Sequence, residues 1–321
     1  MVTTVAPVPP PKSLKPLVGD GRRSTRRSSA PLWLLSPAGL VLACVTIAPI
    51  IFLLYISFTD YNQRSLFTGA YSMVGLDQYA TILTDPEFWL ALVRTVVFTA
   101  TLVAGSVLIG GGMSHLMTRL PTTMRYVVTV VLILAWAMPN VASSIIWKWL
   151  FQPQYGVVNW LLTQTGLVGD VTSVNWAADP QLAWVCIWML VVWQAVPFIA
   201  LTLYAAETQV PIERKEAARL DGASELAVYR VVVFPALKPT MLLVTMLSII
   251  WDFNVFNQIW LVSAGGPNGA TSTLGVFTYT TAFSGNVQIG AGSAIAVAST
   301  AILLVLSVFY IRNLVRSGEE L

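Results

Sequence analysis

A chain of 321 residues that is 56% hydrophobic and only 10% charged has too little polar surface for a water-soluble globule, in which about 25% charged residues is usual. A net charge of +3 is too small for a nucleic-acid partner, and the basic residues gather at the ends of apolar runs. Cys44 and Cys186 both fall inside such runs, where they read as small buried hydrophobes and imply neither a disulfide framework nor a metal site.

Residues 1–30 are rich in Pro, Ser, Thr and Arg and hold few large apolar side chains, so a disordered tail is expected. Arg22-Arg23 and Arg26-Arg27 precede an apolar run much longer than the 7–15 residues of a signal-peptide core, and they read as a charged anchor flank. Six runs then reach the roughly 20 apolar residues that a spanning helix needs, near 32–58, 88–118, 124–150, 181–206, 240–263 and 287–312. Their apolar residues are continuous, not alternating, and backbone polar groups in lipid must be satisfied within their own segment. An all-α polytopic membrane protein with six transmembrane helices follows, occupying residues 31–321. Pro49, Pro139 and Pro197 each remove a helical hydrogen bond inside a run and are expected to kink it. Gly110-Gly111-Gly112 lacks the Gly-Lys-Ser/Thr of a phosphate-binding loop and suits close helix packing instead. His115 has no second histidine or cysteine at ligand spacing and reads as a cap or interface residue.

Between the fourth and fifth runs lies a polar stretch, 211–238, that reads as two short helices. Pro211 can open the first, and Gly222 can close it because glycine takes a left-handed cap cheaply. A second starts near Ser224 and Glu225, and Pro235 is expected to stop it. Ala217 and Ala218 present almost no bulk, so a partner's groove can approach the backbone, while Arg214, Lys215, Glu216 and Arg219 supply charge for pairing. All of the 18 basic residues except Arg64, Arg94 and Lys148 fall on one side if the N-terminus is inside, which places both termini and the 211–238 loop in the cytoplasm.

Glu216-Ala217-Ala218, Gly222 six positions after the glutamate, and Val232-Val233-Phe234-Pro235 resemble the signature of ABC-importer permeases, the binding-protein-dependent inner-membrane components. Val232 and Phe234 stand where isoleucine and leucine are frequent in that family. Further stretches resemble carbohydrate-importer permeases: Val74-Gly75-Leu76-Asp77-Gln78-Tyr79 with Asp85-Pro86 and Phe88-Trp89; Pro139 with Trp147-Lys148 and Tyr155-Gly156-Val157-Val158-Asn159; and Gly265-Gly266-Pro267 with Thr271 to Phe283. Together they cover nearly all of residues 72–312 and look most like the first permease of maltose- and trehalose-type importers. The resemblance implies that Glu216, Ala217, Ala218, Asp221 and Gly222 couple this chain to a cytoplasmic ATPase. It further implies two copies of that ATPase, a second homologous permease, an extracytoplasmic sugar-binding protein, and a place in the inner membrane among lipid. ATP and Mg would be bound by the ATPase, leaving this chain without a cofactor and without a catalytic site.

Polar groups inside a membrane are costly enough to be functional candidates. Asp252 is the one carboxylate deep in a span, and Ser248, Asp252 and the region of Val255 share a helical face, with Asn254, Asn257 and Gln258 close by. Carboxylate, amide and hydroxyl groups pair with sugar hydroxyls, and aromatic faces stack on a pyranose. In the maltose-type family, the stretches resembling Trp193-Gln194-Ala195-Val196-Pro197-Phe198 and Ser248 to Val255 line the sugar site. Here Phe198 replaces a frequent tyrosine, Val191 a polar residue and Val255 an asparagine, while Gln194 and Asp252 bring polarity elsewhere. The expected contacts are therefore Trp193, Gln194, Phe198, Ser248, Asp252, Asn254 and Asn257, and the expected solute is a disaccharide such as trehalose or maltose. The competing expectation is an ion-coupled secondary transporter or channel that works without an ATPase through Asp252. Such a protein would show paired intramembrane charges or an internal repeat with broken helices, and neither stands out in the sequence.

Overall fold

The structure, a computed structural model, describes residues 30–316, so the expected disordered tail lies outside the described residues but for Ala30. The chain divides into two units, residues 1–50 and 51–321. In the first, α1 (Ala30–Leu42) runs through a π-turn at Ala43–Ile47 into α2 (Ala48–Ile56). The wide turn, in which Ala48 N–H donates to Ala43 O, comes just before Pro49 and absorbs the shift in register that its missing donor requires. Cys186 is buried as expected, but Cys44 is exposed, since an apolar side chain facing lipid gains little by turning inward.

In the second unit, α3 (Gln63–Thr68) and α4 (Asp77–Thr84) lead into α5 (Pro86–Arg119). The next elements are α6 (Thr122–Trp136), α7 (Asn140–Leu150), α8 (Val157–Gln164) and α9 (Pro180–Glu207). Then come α10 (Ile212–Leu220), α11 (Glu225–Val228), α12 (Phe234–Phe253), α13 (Asn257–Ser263), α14 (Leu274–Phe283) and α15 (Ile289–Arg316). The two longest buried helices start in the same way. Asp85 accepts from Glu87 N–H before Pro86, and Asp179 accepts from the N–H groups of Gln181 and Leu182 around Pro180. These two helices, α5 and α9, form the most extensive pair in the bundle. Leu102, Ile187 and Leu190 are fully buried between them. Their approach depends on Gly110, where an added Cβ would stand 2.7 Å from Ile199 Cγ2; Gly112 by contrast has open space around it.

Among the described residues five helices are long and apolar enough to cross a membrane, six when the bent pair α6–α7 counts as one span. One expectation about these spans is sharpened and one needs correction. The kink expected at Pro139 is a sharp corner: α6 and α7 meet at 99° there, since the proline ring cannot extend the helix begun by α6. The fifth span runs from Glu225 to Phe253 and not over 240–263. Pro235 does not stop the helix, because a π-turn at Tyr229–Val233 precedes it and places the proline in the first turn of α12, where no donor is needed. The helix ends instead at Asn254, whose Nδ2 donates to Ile250 O and occupies a terminal carbonyl, and the chain turns through 254–256 before α13.

Candidate solute cavity and coupling loop

Both breaks open onto one cavity of about 490 Å³, bounded by α9, α12, α13 and the α6–α7 corner. Gln194 and Phe198 lie four residues apart on α9 and so share the face turned to it. Ser248 and Asp252 stand in the same relation on α12. Asn254 and Asn257 join them at the break between α12 and α13, residues 254–256. Trp193 is the exception among the expected contacts: one position from Gln194 it points about 100° away, and packs against Trp147 at 5.8 Å between ring centroids within the core.

The polar wall is an ordered chain of amides. Gln258 Nε2 donates to Gln194 Oε1 at 3.1 Å, and Gln194 Nε2 donates to Asn140 Oδ1 at 3.2 Å, linking α13, α9 and α7. Asn140 was not expected here, and it reaches the cavity only because the 99° corner places it at the start of α7. Asp252 is 6% exposed, and its Oδ2 is buried with no hydrogen-bond partner. A buried carboxylate oxygen left unpaired is costly. Aromatic rings line the same cavity, with Phe198 stacked beside Trp136 at 6.3 Å and edge-on to Trp251 at 5.2 Å. No lysine, arginine or histidine lines the cavity among the described residues.

At one end of the bundle, α10 is the first short helix expected of the 211–238 stretch, but the expected second is not a separate helix: α11 is the first turn of the continuous span Glu225–Phe253. Gly222 has φ +84°, and Ala223 N–H returns to Ala218 O at 3.0 Å, which closes α10 as a left-handed cap does. Ser224 Oγ caps α11 by accepting from Ala227 N–H. Arg219 Nε donates to Glu225 Oε1 at 2.7 Å, tying the two helices across the glycine, and this pairing holds the Arg219 guanidinium above its usual range. Glu216, Ala217, Asp221 and Gly222 are exposed, and Ala218 is half-buried. Beside them two large apolar side chains stand in the open, Leu220 at 89% and Leu226 at 68%. No residue of α10 is buried in this chain.

Comparison with known proteins agrees with this architecture. Residues 106–318 match the family described as "Binding-protein-dependent transport system inner membrane component". The chain is 35% identical over 326 residues to the diacetylchitobiose uptake system permease protein DasB of Streptomyces coelicolor, covering 99% of each chain. It is 30% identical over 240 residues to the trehalose/maltose transport system permease protein MalF of Thermococcus litoralis, covering 74% of this chain and 79% of that one. The fold superposes with TM-score 0.78 on a chain of a bacterial ABC transporter involved in alginate import, at 18% identity and over 91% and 97% of the two chains. The chain therefore belongs to the binding-protein-dependent transport system inner membrane components, and is an ABC-importer permease.

Proposed function

We propose that this permease carries a neutral disaccharide through the cavity bounded by α9, α12 and α13. The observation that supports this most is the wall itself, in which the unpartnered Asp252 Oδ2, the Gln258–Gln194–Asn140 amide chain and the Phe198 ring face one space and no basic side chain does. The volume lies within the roughly 300–1,000 Å³ of small-molecule sites. Sugar hydroxyls supply donors for Asp252, the rings cover pyranose faces, and the lack of a cation disfavours acidic sugars. Trehalose and maltose satisfy these requirements. So does diacetylchitobiose, named for a relative matched from end to end, and its acetamido groups also suit the amide wall.

Energy enters at the α10–α11 end. The chain pairs with a second, homologous permease, and two ATPase subunits that bind ATP and Mg grip the exposed faces of α10 and α11, with Leu220 and Leu226 as apolar anchors. An extracytoplasmic binding protein delivers the sugar at the opposite end. Both termini and α10–α11 lie in the cytoplasm, in keeping with the distribution of Lys and Arg. ATP binding closes the ATPase pair, and α10 together with α11, the start of the Glu225–Phe253 span, moves as a lever that rocks the bundle. The turn at 254–256 is a feature that ion-coupled carriers also use, so the test must separate the energy sources.

The test is uptake of labelled diacetylchitobiose, trehalose and maltose by a strain lacking this chain and by the same strain complemented with it. One of the three should enter only with the chain present and only while ATP is supplied, and an excess of an acidic disaccharide should not compete. Uptake driven by an ion gradient after ATP depletion would favour the ion-coupled carrier. Orientation is read by cysteine labelling: positions Ser173 and Asn268 should react with an impermeant thiol reagent from outside, and Ser224 only after the membrane is opened. Labelling at 224 in intact cells would place the loop on the wrong side for an ATPase.

A further inference from the structure

Glu207 is the last residue of α9, three positions before the chain leaves for α10, and it is only 2% exposed. A carboxylate at a helix C-terminus opposes the helix dipole, and burying it adds a desolvation cost, so its place must be held by a specific partner. That partner is His115 of α5, whose Nδ1–H donates to Glu207 Oε1 at 3.1 Å. The His115 ring also meets the edge of Tyr229 at 4.6 Å between centroids, and Tyr229 opens the π-turn through which the chain returns from α11 to α12. One side chain of α5 thus touches both the stem by which the chain enters the α10–α11 loop and the stem by which it leaves. One turn further along α5, Arg119 stands 4.0 Å from Glu225, which Arg219 holds in turn.

We infer that His115 and Glu207 are positioning residues for coupling: the half-buried His115 and the buried Glu207 clasp both stems of the α10–α11 loop to α5, so that displacement of the loop moves α5 with it. This rests on the reading of α10–α11 as the ATPase-gripped lever. The long helix α5 packs along α9, which lines the solute cavity, so the clasp joins the loop to the helix pair at the centre of the bundle. Without the clasp, α10 and α11 still dock through their exposed faces but swing on loosened stems. Their motion then does less work on the cavity. A pair needed for folding alone would change the amount of assembled protein and leave the yield of transport per ATP unaltered.

The experiment uses the complete complex in proteoliposomes with its binding protein. Uptake is measured with labelled diacetylchitobiose, trehalose and maltose, and ATP hydrolysis is measured in the same samples. The double variant His115→Leu with Glu207→Leu removes both polar groups together and leaves no buried charge unpaired. It should assemble and hydrolyse ATP in response to loaded binding protein, while sugar moved per ATP falls by roughly 2- to 30-fold, the range by which residues between coupled sites act. Glu207→Gln keeps an acceptor for His115 and should recover most of the yield. Tyr229→Leu frees only the exit stem, leaves the His115–Glu207 pair in place, and should show a smaller loss. Should the double variant fail to assemble, the Glu207→Gln and Tyr229→Leu pair decides, with the loss expected only in the second. An unchanged yield per ATP in the double variant, or in Tyr229→Leu where that variant decides, overturns the inference. Glu216→Lys run alongside keeps the two claims apart: if it too transports normally, the lever reading fails, whereas if it alone abolishes transport, only the clasp is lost.

Discussion

The candidate solute cavity and the α10–α11 end put their polar groups to different uses. In the cavity, Asp252 keeps an oxygen unpaired, Asn257 is exposed, and the α12–α13 helix is broken at 254–256. At the α10–α11 end, ion pairs join separate elements: Arg219 and Arg119 meet Glu225, and His115 meets Oε1 of Glu207, whose Oε2 is likewise buried without a partner, while Gly222 closes α10 and Ser224 caps the start of α11. The polar groups of the cavity face a space that a ligand can fill, whereas those of the α10–α11 end tie separate helices to one another. The exposed surface of α10 and α11 carries, beside charges such as Glu216, the large apolar side chains Leu220 and Leu226, as befits a surface to be covered by protein and not by sugar.

If that contrast is right, the sharpest loss comes from the exposed face of the lever. Glu216→Lys should abolish uptake while the protein still inserts and folds, because Glu216 is exposed and has no structural task in α10. Copurification of the ATPase should fall with it, and normal transport would remove α10 from the coupling role. An intermediate loss is expected from stiffness alone. At φ +84° a β-branched residue costs roughly 1–2 kcal/mol, so Gly222→Val should distort the α10–α11 joint and lower uptake without preventing ATPase copurification. Wild-type uptake would show that the joint need not be rigid. The smallest effect belongs to a residue near the cavity but outside it. Trp193→Phe should lower stability by less than about 1.5 kcal/mol and leave the sugar concentration for half-maximal uptake unchanged, since Trp193 packs on Trp147. A clear rise in that concentration would return Trp193 to the solute wall.

The apolar runs apart from the displaced fifth, the glycine-closed α10 and the shared face of Ser248 and Asp252 were legible in the sequence, because each depends on local composition or periodicity or on one residue's backbone preference. The corner at Pro139 was legible as a kink, but its 99° size was not, and with it went Asn140, whose role depends on where α7 points. Pro235 misled for a physical reason: proline excludes an ordinary helix interior, but a π-turn just upstream converts its position into a first turn. Trp193 was chosen by motif, whereas the 100° step along α9 decides which neighbour faces the cavity, and that neighbour is Gln194. The His115–Glu207 pair joins residues 92 apart in sequence, and no local pattern announces it.

The most direct test of the solute cavity is the Asp252 series, read as uptake at limiting sugar together with ATP hydrolysis stimulated by loaded binding protein. Asp252→Asn keeps size and hydrogen-bonding capacity, and Asp252→Leu removes the latter. A lost bond to a buried polar partner is worth about 1–3 kcal/mol, so uptake should fall roughly five- to a hundred-fold in Asp252→Leu and only partly in Asp252→Asn, at comparable expression. Wild-type uptake by Asp252→Leu would contradict the account and move the solute path to another part of the bundle.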